Sequence, residues 1–268
     1  MEITANYLIL GAFSLLMLVP LLGVLMLALQ PEGTSAGTMR FDTLTFESFQ
    51  RAWTGADFGS YLRNSAIVAS AVVVIATTLS VMTGYAFGTM RFRGQKPLFF
   101  VFLLGLIMPY EAAVIPLYYT LRGAGLTNTY WAVILPQAAL GLSFGTFWMR
   151  AFFRSLPPYL AEAAEIDGAS RWTILWRVML PNARPAITTM VLLFFMWTWN
   201  DFLLALVMIT KAGLRTAPLG LAQFSGQYTT DLTGLAAASV MTALPIVVVY
   251  LFFQRSFIQG VLSGGSRE

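Results

Sequence analysis

A chain of 268 residues that is 57% hydrophobic and 10% charged, with a mean hydropathy of +0.72, stands well away from soluble domains, where about 25% of residues are charged. It reads as an all-α integral membrane protein. Zero cysteines and zero histidines exclude disulfides, thiol chemistry, Ser–His catalysis and histidine metal sites, and the net charge of +4 is expected of basic residues flanking membrane helices rather than of a nucleic-acid binder.

A membrane-spanning helix needs about 20 predominantly apolar residues. The first such run, 7–29, is too long for a signal-peptide core and follows no basic segment, so it is expected to remain as span one. Residues 30–63 are polar, but Phe46, Phe49 and Trp53 fall at i, i+3 and i+7 after Thr45, predicting a short amphipathic helix on the membrane surface. Residues 64–90 form span two, and Arg91, Arg93 and Lys96 follow as the tightest basic cluster. Span three, 97–121, contains Pro109, Pro116 and Glu111. Span four, 129–149, carries Trp131 and Trp148 near its ends as expected interfacial anchors. Span five, 186–209, contains Asp201; a polar loop over 211–231 leads to span six, 232–254, and a short tail. Six spans in one domain over 1–268 are predicted, with no evident internal repeat.

Residues 156–185, between spans four and five, cannot sit in a membrane. Pro157 and Pro158 suit the opening of a helix, where a missing N–H costs nothing, and Gly168 suits the left-handed turn that ends it. A second helix is predicted from an N-cap at Ser170 to just before Pro181. Its Trp172, Leu175, Trp176 and Met179 recur at i, i+3, i+4 and i+7, a stripe that wants a partner surface. Two short helices at a glycine corner make a docking element.

The chain has no G-x-x-x-x-G-K-[ST] loop, so it is expected neither to hydrolyse ATP nor to bind a cofactor of its own. Ten basic residues fall on the side of the 91–96 loop, the docking stretch and the tail, against six on the other, which places both termini and the docking stretch in the cytoplasm. A carboxylate at a lipid-facing helix centre costs about 2.5–3.5 kcal/mol, so Glu111 and Asp201 should face away from lipid. Along straight helices they lie about 21 Å from Pro97 and about 24 Å from Pro185, at similar depth in the outer third. Either they border an outward-facing cavity, or they pair with backbone amides or with Arg63 or Arg122.

Glu162-Ala163-Ala164-Glu165-Ile166-Asp167-Gly168-Ala169, followed by Leu180-Pro181 and Pro185, resembles the EAA loop of ABC-importer permeases, and it sits between two spans as it does in that family. Leu175-Trp176 departs mildly, standing where the family usually has Phe. The resemblance covers nearly the whole chain and is closest to the carbohydrate, maltose-type permeases. Arg63-Asn64-Ser65, Pro109 through Pro116-Leu117-Tyr118, Trp199-Asn200-Asp201-Phe202, Ala243-Leu244-Pro245, and Gln254-Arg255 through Phe257 and Gly260 all look like that subfamily.

The resemblance implies a type I ABC-importer permease fold and a non-catalytic subunit in the bacterial inner membrane. Partners would be a second permease chain, usually a different one, two ATPase subunits that bind ATP and Mg, and an extracytoplasmic solute-binding protein. Glu162, Ala163, Ala164, Asp167, Gly168 and Ala169 would couple to the ATPases. Ala161, Ala163 and Ala164 would let their helix sink into an ATPase groove, while the tail, Phe257 to Glu268, would approach the ATPase pair. The 211–231 loop would reach toward the binding protein. Glu111, Tyr118, Asn200 and Asp201 are candidates for the substrate path. Tyr85, Tyr119 and Gln137 are also of the kinds that grip sugar hydroxyls and ring faces, or else bond between helices. The cargo would be a sugar or oligosaccharide, or alternatively a glycerol-phosphate ester or acidic oligosaccharide; spans without Lys or Arg favour a neutral one.

Overall fold

Inside a bilayer a long apolar run can satisfy its backbone only by coiling on itself. The computed structural model describes the backbone of residues 2–38, 40–226 and 230–265, and the side chains of 6–254 except 36, 39 and 227–229. Among these residues every extended regular element is helical. The long helices are α1 (Glu2–Ala28), α3 (Phe58–Thr89), α6 (Trp131–Ser155) and α13 (Leu232–Gly265), with α2 (Glu47–Gln50) running into a wide π turn, Arg51–Gly55. Shorter ones are α4 (Gln95–Ile107), α5 (Tyr110–Gly123), α7 (Tyr159–Ile166), α8 (Arg171–Thr173), α9 (Leu180–Asn182), α10 (Arg184–Trp199), α11 (Leu203–Met208) and α12 (Ala217–Gly220). A π turn, Ile174–Met179, joins α8 to α9. Among the described residues four helices are long and apolar enough to cross a membrane, and up to six spans result if each of two bent pairs counts as one.

The bends fall where side-chain chemistry removes helical bonds. Pro109 has no amide hydrogen and forces the residue before it out of the helical region, so Met108 is extended and α4 meets α5 at 102°. Span three is therefore not straight. Glu111 lies exposed in the first turn of α5, which removes the basis for the 21 Å depth. The second bent pair, Arg171–Asn182 with Arg184–Trp199, turns by 80° ahead of span five, and span five is itself interrupted at 200–202. There the Asn200 amide returns to the Met196 carbonyl at 2.9 Å, and the Asp201 carboxyl accepts the Ala205 amide at 3.4 Å, local bonds that compete with the helix.

The chain divides into two compact units, 1–63 with 216–245 and 64–215 with 246–268. In the first, small Ala28, Ala236 and Ala237 form a close-packed seam covered by Leu27 and Phe49. Arg51 donates to the Ser48 and Thr233 hydroxyls at 3.3 and 3.1 Å and stands 3.1 Å from the Glu32 carboxylate. Asp231 caps α13 by accepting the Gly234 amide at 2.8 Å. Side chains 6–22 of α1 are all exposed, an apolar surface fit for lipid or another chain. Trp53 of the 47–55 segment and Phe46 just before it are also exposed, while Thr45 accepts the Glu47 amide at 3.2 Å.

In the second unit α3 and α6 approach through small residues. A side chain at Gly84 would collide with Met149, one at Gly145 would collide with Ser80, and the Thr83 and Thr146 hydroxyls bond across the crossing at 2.6 Å. The Trp148 indole donates to the Ala186 carbonyl at 3.0 Å. Because α6 runs on to Ser155, Trp148 ties α6 to α10 two turns inside the helix instead of marking its end.

Candidate functional site

The docking stretch folds as two helices at a corner. Pro158 accepts the Glu162 amide at 3.2 Å to open α7. At the far end Gly168, at φ +76°, donates to Glu165 O at 3.0 Å and Ala169 donates to Ala164 O at 2.9 Å. This Schellman pair closes the helix at the residue that a left-handed conformation requires. Ser170 then caps the next helix, its hydroxyl accepting the Thr173 amide at 3.2 Å. That helix passes through Pro181, contrary to expectation. The wide π turn ahead of α9 lets Pro181 occupy the start of a new turn, where its missing N–H leaves no gap.

The same π turn changes which side chains are buried. A five-residue turn shifts the face out of 3.6 periodicity, so Ile174, Leu175 and Met179 are buried and Trp176 is half-buried. Trp172 is left 59% exposed, its ring 5.4 Å from that of Trp176, and does not hold the element to the bundle. The alanines also divide. Ala161, Ala164 and Ala169 pack on the chain's own core, whereas Ala163 is exposed.

Outward, α7 presents Tyr159, Glu162, Ala163 and Ile166, at i, i+3, i+4 and i+7, with Ile166 87% exposed. Asp167 and Gly168 are exposed beside them, and a Cβ at Gly168 would meet nothing within 4 Å. Tyr159 and Ile166 complete a stripe whose spacing was readable in the sequence.

A cavity of about 660 Å³ opens at the break of span five, lined from α4, α6, α10 and α11. Asn200 and Asp201 both line it, as does Gln137. Glu111 and Tyr118 do not. Tyr118 packs against the buried cluster around Val114 and Leu121 and against the Tyr119 ring at 5.6 Å, and Tyr85 is buried against Phe153. The cavity wall adds Tyr110, Phe144 and Trp197, which the sequence did not single out. Phe144 meets Trp197 edge-on at 5.0 Å. Gln137 stands beside Asp201, yet its buried amide has no partner at hydrogen-bonding geometry. None of the lining residues is basic.

Two polar clamps lie outside the cavity lining. Fully buried Asn64 donates to the carbonyls of Gly213 and Arg215, both at 2.9 Å, and accepts the Tyr130 hydroxyl at 2.7 Å. Asn128, in a left-handed conformation at φ 59°, accepts the Thr210 amide and hydroxyl and the Lys211 amide at 2.7–3.0 Å, fixing the end of α11 to the start of α6. The tail expected to face the ATPases is helical through Gly265, but its side chains and residues 266–268 lie outside the described residues, as do 227–229 of the 211–231 loop.

Residues 76–262 match the family described as the binding-protein-dependent transport system inner membrane component. The chain belongs to that family. It is 36% identical to the diacetylchitobiose uptake system permease protein of Streptomyces coelicolor over 95% of its own length and 86% of that protein. It is 35% identical to the arabinooligosaccharides transport system permease protein of Halalkalibacterium halodurans, over 92% of this chain and 90% of the other. The fold is that of a bacterial ABC transporter involved in import of the acidic polysaccharide alginate, with a TM-score of 0.80 at 24% identity and 95% coverage of both chains. The chain is thus a multi-pass permease component of an ABC importer, with the all-α fold read from its sequence.

Proposed function

We propose that this subunit forms half of the translocation pathway of an ATP-driven sugar or oligosaccharide importer and is driven through residues 156–185. The observation that carries the reading is the corner at Gly168: a helix closed by a Schellman turn, its inner alanines on the core and its outer stripe unpartnered. In this reading closure of two ATPase subunits, which bind the ATP and Mg, presses on α7. The corner passes the motion to α6 and α10, to which it is covalently joined and against which it packs. Glu162 pairs with a basic ATPase group, Ala163 lets the partner approach, and Asp167, Gly168 and Ala169 keep the corner's shape. A second permease chain completes the pathway, and an extracytoplasmic binding protein delivers the cargo. Both termini are cytoplasmic. A sugar cargo is supported by the sugar systems to which the relatives belong, and an uncharged one by the lack of basic groups in the cavity.

The test is binding-protein-stimulated ATP hydrolysis by the purified complex, wild type against Gly168→Asp, with assembly followed in parallel. The expected result is an assembled complex whose stimulation is lost, because at Gly168 an added side chain meets backbone strain but no neighbour. Full stimulation would reduce residues 156–185 to a connector.

A further inference from the structure

We propose that the cavity at the break of span five is a subsite for an uncharged sugar ring, so that this subunit grips the cargo itself. The proposal rests on the importer reading and adds to it a contact and a selectivity.

Gln137 carries the argument. It is only 8% exposed, it lines the cavity, and neither its Nε2 nor its Oε1 has a hydrogen-bond partner. Native interiors rarely bury an unpaired amide, because the bonds lost to water are not replaced. Replacing Gln137 by an apolar residue of similar size would remove that penalty at the cost of no more than its approach to Asp201, which falls short of full hydrogen-bond geometry. A buried amide so placed points to a partner that comes and goes. An amide offers two donors and two acceptor lone pairs, which matches a pair of neighbouring sugar hydroxyls.

The surroundings narrow the ligand further. Asp201, beside Gln137, accepts the Ala205 amide at 3.4 Å and is approached by the Leu204 amide and the Gln137 side chain, so a carboxylate and an amide converge at one point of the wall, where sugar hydroxyls could meet both. Trp197 is half-exposed on the wall and backed by Phe144 at 5.0 Å and Phe194 at 6.2 Å, a ring fixed from one side and bare on the other. The volume falls within the range of about 300–1,000 Å³ typical of small-molecule sites, which are mostly apolar with a few convergent polar groups. With one acidic and no basic group in the lining, a carboxylated or phosphorylated sugar would meet repulsion without compensation.

The experiment uses proteoliposomes holding the whole complex, with a panel of uncharged di- to tetrasaccharides and an alginate tetrasaccharide as probes. Uptake and ATP hydrolysis are measured together. Gln137→Leu is expected to assemble as wild type, yet move about fivefold less uncharged sugar per ATP hydrolysed, the loss of roughly one hydrogen bond. Trp197→Ala should show a similar loss that Trp197→Phe partly restores, and Asp201→Asn should lower transport more than assembly.

Wild-type sugar-to-ATP ratios in both Gln137→Leu and Trp197→Ala would overturn the subsite. So would losses that only track reduced assembly, the mark of a seal against the partner permease. Wild-type uptake of the alginate probe alone, or of no uncharged sugar, would overturn it as well. Uptake that persists with hydrolysis-dead ATPase subunits would instead sink the importer reading beneath it.

Discussion

Asn64 shows how much one buried amide can fix. It satisfies two backbone carbonyls and a tyrosine hydroxyl at once. Asn64→Ala removes all three bonds, and each group left buried and unpaired costs about 1–3 kcal/mol, less for the Gly213 carbonyl, which lies on an exposed residue. The thermal midpoint of the purified complex in detergent should fall clearly, whereas Gly168→Ala, which faces only the strain of a left-handed backbone, should cost about 1 kcal/mol. Equal midpoints for the two variants would mean that water replaces the Asn64 bonds. Asn64 was visible in the sequence only as part of Arg63-Asn64-Ser65. Its partners come from 66 and about 150 residues away, a pairing that no local pattern encodes. Asn128 was less visible still, since its left-handed conformation exists to meet Thr210 and Lys211.

Among the elements, length and apolarity made the long helices legible, because a bilayer leaves such runs no other structure. The breaks were not legible. Prolines inside spans are ordinarily tolerated, and nothing in sequence separates Pro136, which α6 absorbs, from Pro109, which turns the chain by 102°. The π turn at 174–179 likewise follows from packing, and it moved Trp172 to the surface. The corner itself was readable because Pro, Gly and Ser act locally. Its two faces make a sharp prediction. Ile166→Asp alters an exposed side chain and should change stability by no more than about 0.5 kcal/mol, yet abolish stimulated ATP hydrolysis by placing a charge in the ATPase contact. Ala164→Leu works from the inner face and should lower the thermal midpoint through overpacking, about 1–3 kcal/mol. If Ile166→Asp leaves stimulation intact, the outward stripe is not the ATPase contact.

For the molecule as a whole, the question is which side of the membrane the corner faces, since ATP is supplied from the cytoplasm alone. Charge supports the cytoplasmic side: ten basic residues against six, with the larger set packed into short loops and the docking stretch. A chain without cysteine lends itself to a direct reading, because each introduced thiol is the only one. Exposed positions on the two proposed sides are Phe41 and Gly213 outside, Arg93 and Glu165 inside. A membrane-impermeant maleimide applied to right-side-out vesicles should label Phe41→Cys and Gly213→Cys, and the same reagent on inverted vesicles should label Arg93→Cys and Glu165→Cys. The reverse pattern would put the Gly168 corner where no ATPase can reach it. The charge tally would then describe lipid contacts, and α7 would need another partner.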